Sequence, residues 1–376
     1  MVNRSQLKSC RRWVVKIGSS LVTADGRGLD LKAIEHWGHQ LAEMRQSGCD
    51  IVLVSSGSIA EGMSRLGWAE RPQTVHELQA AAAIGQMGLV QAYESAFKSH
   101  GVGTAQILLT HDDMANRRRY LNARSTLNTL LELGTIPVIN ENDTVTTDES
   151  KLGDNDTLAS LVANLISADI LVILTDQEGM YDADPRTSPD ANLIPHGSAE
   201  DTTLLELATA TGGRFGSGGM RTKLLAAQRA ALSGTSTVIA SGRLDNVLQR
   251  LRDGDALGTL LEASSEPLLA RKQWLANQLK VSGQVTIDAG ARRVLVENNR
   301  SLLAVGVVAV SGEFKRGELV SCIDTENREV ARGLINYSAD EVDLLKQQPS
   351  NRIEAILGYR NEPELIDRDN LVITCR

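Results

Sequence analysis

Short apolar runs recur along the chain, and each ends abruptly in glycine, hydroxyl, amide or carboxylate residues. They are 12–17 (RWVVKI), 49–55 (CDIVLVS), 101–109 (GVGTAQILL), 136–139 (IPVI), 168–175 (ADILVILT) and 236–240 (STVIA), with a shorter run at 258–261. Between them lie stretches of helical spacing, such as Leu31, Ile34, Trp37, Leu41 and Met44 before Gly48, and the alanine-rich 74–99 interrupted only by Gly85 and Gly88. Near-continuous apolar strands alternating with helices predict a parallel sheet covered on both faces. Beyond 264 the texture changes. Pro267, Arg271, Lys272 and Trp274 mark a linker, followed by short β-like runs with glycine turns at 283–288, 305–310, 318–322 and 330–335. The expected fold class is therefore α/β, an open and mostly parallel sheet sandwiched by helices, with a small mainly-β C-terminal domain. The expected boundaries are 8–263 for the first domain, 264–280 for the linker, 281–359 for the second domain and 360–376 for a tail.

The polar residues that close the strands carry the chemistry. Residues 136–139 run into Asn140, Glu141, Asn142 and Asp143, and a second polar cluster, Lys151, Gly153, Asp154, Asn155 and Asp156, opens an apolar helical pattern. Open α/β sheets bind ligands at the carboxyl ends of their strands, and unpaired N–H groups at a helix start attract anions. A capped turn is the plain alternative, since Asn and Asp are ordinary capping residues. Lys16 with Gly18 and Ser19, and Ser56 with Gly57, also stand at strand exits. Neither matches the P-loop or dinucleotide-binding spacing. The stretch Ser217, Gly218, Gly219, Met220, Arg221, Thr222, Lys223 combines flexible backbone, hydroxyls and a cation at the mouth of a helix, which suits a phosphate. Arg117, Arg118 and Arg119 open another helix, where a solvated face or subunit contact is expected rather than a phosphate site.

Length and charge narrow the class. A chain of 376 residues exceeds the usual single core, so two domains are expected. The net charge of −8 opposes non-specific attraction to nucleic acid or anionic lipid, so a phosphate ligand would need locally placed cations. Cysteines 10, 49, 322 and 375 are scattered without metal-ligand spacing, which points to a reducing cytoplasm and no zinc site. The basic and then apolar opening is cut short at Lys16 and Gly18, so no targeting segment is expected, and no apolar run is long enough to span a membrane.

Six fragments, in order and each at a strand end, carry a resemblance. VVKIG (14–18), VSSGSIAEG (54–62), INEND (139–143), KLGDND (151–156), LTDQEGMYDADPR (174–186) and SGGMRTK (217–223) resemble the amino acid kinase family, and among its members those that phosphorylate glutamate and carry a C-terminal PUA module. Aspartate, acetylglutamate, carbamate and uridylate kinases share the sheet and the lysines but differ around the acceptor; the pairing of INEND with GDND favours glutamate. Ser58, Ser217 and Arg214-Phe215 depart from the family pattern conservatively.

The resemblance implies transfer of the γ-phosphoryl group of ATP to the side-chain carboxylate of L-glutamate, the opening step of proline synthesis, with Mg²⁺ bridging the phosphates and no dedicated protein cage for it. Lys16 and Lys223 would be the catalytic cations, held by Asp156. Ser56, Asp143, Asp154 and Asn155 would bind the acceptor, Asp143 its α-ammonium and the Asn155 amide a carboxylate. Lys16, Gly18, Thr175, Asp176 and residues 217–223 would hold the nucleotide. Feedback inhibition by L-proline and a dimer or tetramer are further implications. The alternatives are another acceptor, aspartate or a nucleoside monophosphate, or an RNA-binding protein with a kinase-like scaffold. Residues 281–376 contain 12 Lys/Arg against 15 Asp/Glu and few aromatics, which argues against RNA and for a structural or oligomerising module.

Overall fold

The computed structural model describes residues 3–24, 28–146, 154–211, 219–264, 281–360 and 362–375. The chain divides into two compact units, Met1–Met114 with Ala123–Pro267, and Ala115–Asn122 with Leu268–Arg376.

The first unit is built on eight strands: β1 Arg12–Ile17, β2 Asp50–Ser55, β3 Thr104–Leu109, β4 Ile136–Glu141, β5 Ile170–Thr175, β6 His196–Ser198, β7 Ser236–Ser241 and β8 Thr259–Glu262. Their order is β3-β4-β2-β1-β5-β7-β8-β6. All pairings are parallel except β7 with β8. Strand β1 lies at the centre, with β2 on one side and β5 on the other, so the chain order switches direction there. That is where a crevice opens at the carboxyl edge of such a sheet.

Helices α1 Leu31–Gln46, α2 Ser58–Leu66, α3 Val75–Lys98, α4 Arg117–Glu132, α5 Asn155–Ile166, α6 Met220–Ala231 and α7 Val247–Asp253 follow the strands. Alternation along β1 sends Trp13, Val15 and Ile17 into one core with Ile34, Trp37 and Leu41 of α1. Val14 and Lys16 therefore belong to the opposite face, where α5 lies on β1 and α6 packs on α5. A lysine placed by this two-residue period meets the first turns of α5 and α6 rather than the aliphatic core. Strand β3 begins at Thr104, not at Gly101 as the pattern predicts. Gly101 adopts φ 68° and, with Val102, donates its N–H to carbonyls of the last turn of α3, a glycine helix stop.

The second unit holds a five-stranded sheet of β9 Gly283–Ile287, β10 Val307–Gly312, β11 Leu319–Ile323, β12 Glu329–Leu334 and β13 Leu371–Ile373, in the order β10-β9-β11-β12-β13. Two expectations need correction. Residues 360–376 are not merely a tail, because β13 pairs antiparallel with β12 and Leu371 is buried. Three apolar residues among charged neighbours carry no readable alternation, and only the partner strand makes them a strand. Likewise Ala115–Asn122, placed by sequence inside 8–263, clusters with the second unit: Leu121 is buried with Leu319 and Leu334, and Arg316 Nη1 donates to Asn122 Oδ1 at 2.6 Å. Arg118 and Arg119 are exposed. The mostly-β expectation also missed α8 Ala289–Asn298 and α9 Ala339–Leu345. The Ser338 and Glu341 capping box of α9 was legible as S-x-x-E. No described helix is long and apolar enough to cross a membrane.

One carboxyl of this unit is out of line with the rest. Burial, reinforced by Asp367 and Glu362, pushes Glu364 up to about 7. A carboxyl whose folded value lies above its unfolded value of about 4.3 holds its proton more tightly when folded. Stability must then fall as pH rises through the window from about 4.3 to about 7. Glu364→Gln should raise the unfolding temperature at pH 8 while changing it little at pH 4. Equal changes at both pH values would show that the carboxyl charge is not the cause.

Candidate active site

The site is assembled from the ends of β1, β2, β4 and β5 and the starts of α5 and α6. Lys16 is the penultimate residue of β1, in register with Val54 of β2 and Ile173 of β5. Its Nζ lies 2.5 Å from Asp156 Oδ1, and Lys223 Nζ lies 3.1 Å from Asp156 Oδ2. Two ammonium groups 207 positions apart in sequence thus share one carboxylate, and all three residues are at least 95% buried.

Local structure explains each placement. Asp154 caps α5, accepting from Thr157 N at 3.2 Å, which puts Asp156 in the first turn with its carboxylate near the helix start. Gly219 is the N-cap of α6, with no side-chain cap, and a Cβ built on it meets nothing within 4 Å. The N-cap itself thus offers the first N–H groups of α6 no side-chain acceptor, and such a helix start attracts anions. Lys223 follows one turn later on the buried side of α6. Thr222 Oγ1 donates to Asp156 Oδ2 at 2.9 Å.

Burial alone would push Asp156 up, but Lys16 and Lys223, with hydrogen bonds from Lys16 and Thr222, bring it down to about 2. The Lys223 ammonium is lowered, first by burial and then by Lys16, against the pull of Asp156. Two ammonium groups gathered on Asp156 at the carboxyl edge of the sheet suit a polyanion.

A second polar group lies beside it. Ser56, Asp143 and Asn155 are buried, while Asp154 is half-buried and occupied as the cap. Asn155 Nδ2 donates to Ser56 Oγ at 2.9 Å and to Asn140 Oδ1 at 3.0 Å. Asn140 Nδ2 donates to Ser58 Oγ at 3.2 Å and to Gln86 Oε1 at 2.8 Å, and Ser58 Oγ lies 3.5 Å from Asp143 Oδ2. Ser58, a departure from the family pattern, is therefore part of the network. Gly57, between Ser56 and Ser58, has φ 114°, and a Cβ there would stand 3.0 Å from Val22 Cγ1.

Thr175, buried at the end of β5, donates to Asp176 Oδ1 at 3.1 Å, and Asp176 itself is exposed, as is Arg221. Gly18 N donates to Leu174 O at 3.2 Å, tying the exit of β1 to β5. Met220 is half-buried. Lys151, Gly153, Ser217 and Gly218 lie outside the described residues. Sequence reasoning assigned no part to Asn140 or Gln86. Asn140 was visible as the first polar residue after an apolar run, whereas Gln86 sits in an alanine-rich helix with nothing to mark it.

A family model, the amino acid kinase family, matches residues 11–241, and a PUA domain model matches residues 283–357. The chain belongs to the amino acid kinase family. Within it, the similarity is to glutamate 5-kinases. That of Thioalkalivibrio sulfidiphilus is 61% identical over 370 residues, covering 98% of this chain and 99% of the relative. That of Methylococcus capsulatus is 60% identical over 374 residues, covering the whole of both. Among solved structures, UMP kinase from Bacillus anthracis shares the fold, with a TM-score of 0.50 at 13% identity over 68% of this chain and 97% of that one.

Proposed function

We propose that the chain transfers the γ-phosphoryl group of ATP to the side-chain carboxylate of L-glutamate, giving L-glutamyl 5-phosphate and ADP at the head of proline synthesis. The observation that carries this reading is the convergence of Lys16 and Lys223 on Asp156 at the carboxyl edge of the sheet. The acceptor carboxylate is already ionised, so no general base is needed. One of its oxygens forms a bond to the γ-phosphorus while the bond from that phosphorus to the β,γ-bridging oxygen breaks, and the electron pair leaves with ADP. The barrier lies in bringing one anion onto another and spreading charge over the moving group, so positioning and electrostatics dominate.

In this reading Lys16 and Lys223 face the transferred group, and Asp156 keeps both ammonium heads in place. Thr175, Asp176, Gly18 and residues 217–223 hold the nucleotide, with the uncapped start of α6 toward its phosphates. Ser56, Asp143, Asp154 and Asn155 form the acceptor pocket. Among the described residues no group of three His, Cys, Asp or Glu is arranged to hold a metal ion. Mg²⁺ carried by the nucleotide would neutralise phosphate charge in this reading. Inhibition by L-proline at the acceptor pocket, a cytoplasmic location and a dimer or tetramer belong to the same reading. Exposed Leu66, Ile84 and Met87 on α2 and α3 support self-association.

Incubation with Mg-ATP, hydroxylamine and a panel of acceptors tests the assignment. Hydroxamate should form with L-glutamate and not with L-aspartate, and UMP should remain unphosphorylated. Hydroxamate from aspartate alone, or phosphorylated UMP, would replace the acceptor. Asp143→Ala should raise the KM for glutamate by roughly 10- to 100-fold, the worth of a hydrogen bond to a charged group, with the KM for ATP nearly unchanged. Equal rises for both substrates would move Asp143 out of the acceptor pocket.

A further inference from the structure

Three side-chain amides form a chain of hydrogen bonds with one direction. Asn155 donates to Asn140, and Asn140 donates to Gln86. That direction is anchored by the backbone: Glu141 N–H, which can only donate, lies 2.9 Å from Asn140 Oδ1. The oxygen of Asn140 is therefore fixed on that side, and the group of Asn155 that meets it must be a donor, its Nδ2. The same nitrogen serves Ser56 Oγ with its second hydrogen. Both hydrogens of the Asn155 amide are spent within the protein. Its Oδ1 is buried and has no hydrogen-bond partner among the described residues. A buried carbonyl oxygen left in this state is costly, and only a donor relieves it.

We infer that Asn140 is a positioning residue that turns the Asn155 amide so that its oxygen receives the α-ammonium of the amino-acid substrate. This rests on the glutamate-phosphorylating reading and reverses the polarity expected from sequence, in which the Asn155 amide serves a carboxylate. The ammonium then meets two acceptors, Asn155 Oδ1 and the Asp143 carboxylate, which Ser58 joins to the same network. A substrate lacking the α-ammonium leaves the Asn155 oxygen unpaired. The amide chain thus selects an α-amino acid over a plain dicarboxylic acid of the same length.

The test compares L-glutamate with glutarate, which keeps both carboxylates and lacks the amine. The unaltered enzyme must first phosphorylate L-glutamate; failure there would sink the activity assignment and not the role of Asn140. Given that activity, kcat/KM should favour L-glutamate strongly. Asn140→Leu should lower kcat/KM for L-glutamate roughly 10- to 100-fold, mainly through KM, with the values for glutarate and the KM for ATP nearly unchanged. Asn140→Asp, which keeps the acceptor oxygen for Glu141 N and Asn155, should retain more of the preference than Asn140→Leu. A parallel fall for both substrates would mean a merely structural part for Asn140 and overturn the inference. A crystal structure of the unaltered chain with L-glutamate decides the matter without a variant. The α-nitrogen is expected within hydrogen-bond distance of Asn155 Oδ1, and a substrate carboxylate oxygen in that place would refute it.

Discussion

Replacing Lys223 by methionine is expected to lower kcat by roughly 10²- to 10³-fold, the usual loss when one preorganised charge stabiliser is removed. Methionine keeps much of the length and apolar stem of lysine and deletes the ammonium. The fold should survive because the change leaves a balanced pair. Asp156 retains Lys16 at 2.5 Å and the hydroxyl of Thr222 at 2.9 Å. A buried cation with lowered affinity for its proton is also removed, so its desolvation no longer opposes folding. Steady-state kinetics with a thermal melt check both halves. Near-normal turnover in a folded variant would take Lys223 off the list of groups that stabilise the transferring phosphoryl.

Asp156→Ala should behave differently, costing stability as well as turnover. The carboxylate is the common partner of two ammonium groups, each 5% exposed. Removing it strands two like charges in a poorly solvated site, a change that typically costs about 3–5 kcal/mol. In a chain of this size that corresponds to a fall in Tm of roughly 5 °C. The pH dependence separates this cause from lost packing. Burial lowers the Lys223 ammonium and Asp156 opposes that, so without the anion Lys223 binds its proton less tightly folded than unfolded, and stability should recover as pH rises toward the ordinary lysine range. In the unaltered chain the sign is opposite for Asp156. Its value near 2 means that its contribution is present above the usual carboxylate range and disappears only as pH falls toward 2. A pH-independent deficit in the variant would point to packing instead of charge.

The elements that carry the site were legible where their signals are local. A strand that ends in Lys16-Ile17-Gly18, a glycine-rich stretch entering a helix at Met220, and polar residues at 140–143 and 154–156 are each a matter of residue type at a chain position. Solvent, hydrogen-bonding rules and the two-residue period of a strand suffice to read them. The two-domain division and the apolar strands needed no more than composition and periodicity.

What local pattern does not contain is which elements become neighbours. Asn155 meets Ser56 across 99 positions and Asn140 meets Gln86 across 54, because β1, β2 and β4 stand side by side and α3 and α5 are carried with them. Strand β13 exists because β12 offers it an edge, and Ala115–Asn122 joins the second unit because Leu121 finds its apolar partners there. Chemistry was written residue by residue along the chain. Its polarity, meaning which amide atom is left to meet a substrate and which carboxylate must serve two cations, came from long-range packing. The N–H of the next residue on β4 fixes which way the Asn140 amide faces, and only the packing of α5 beside β4 passes that direction on to Asn155.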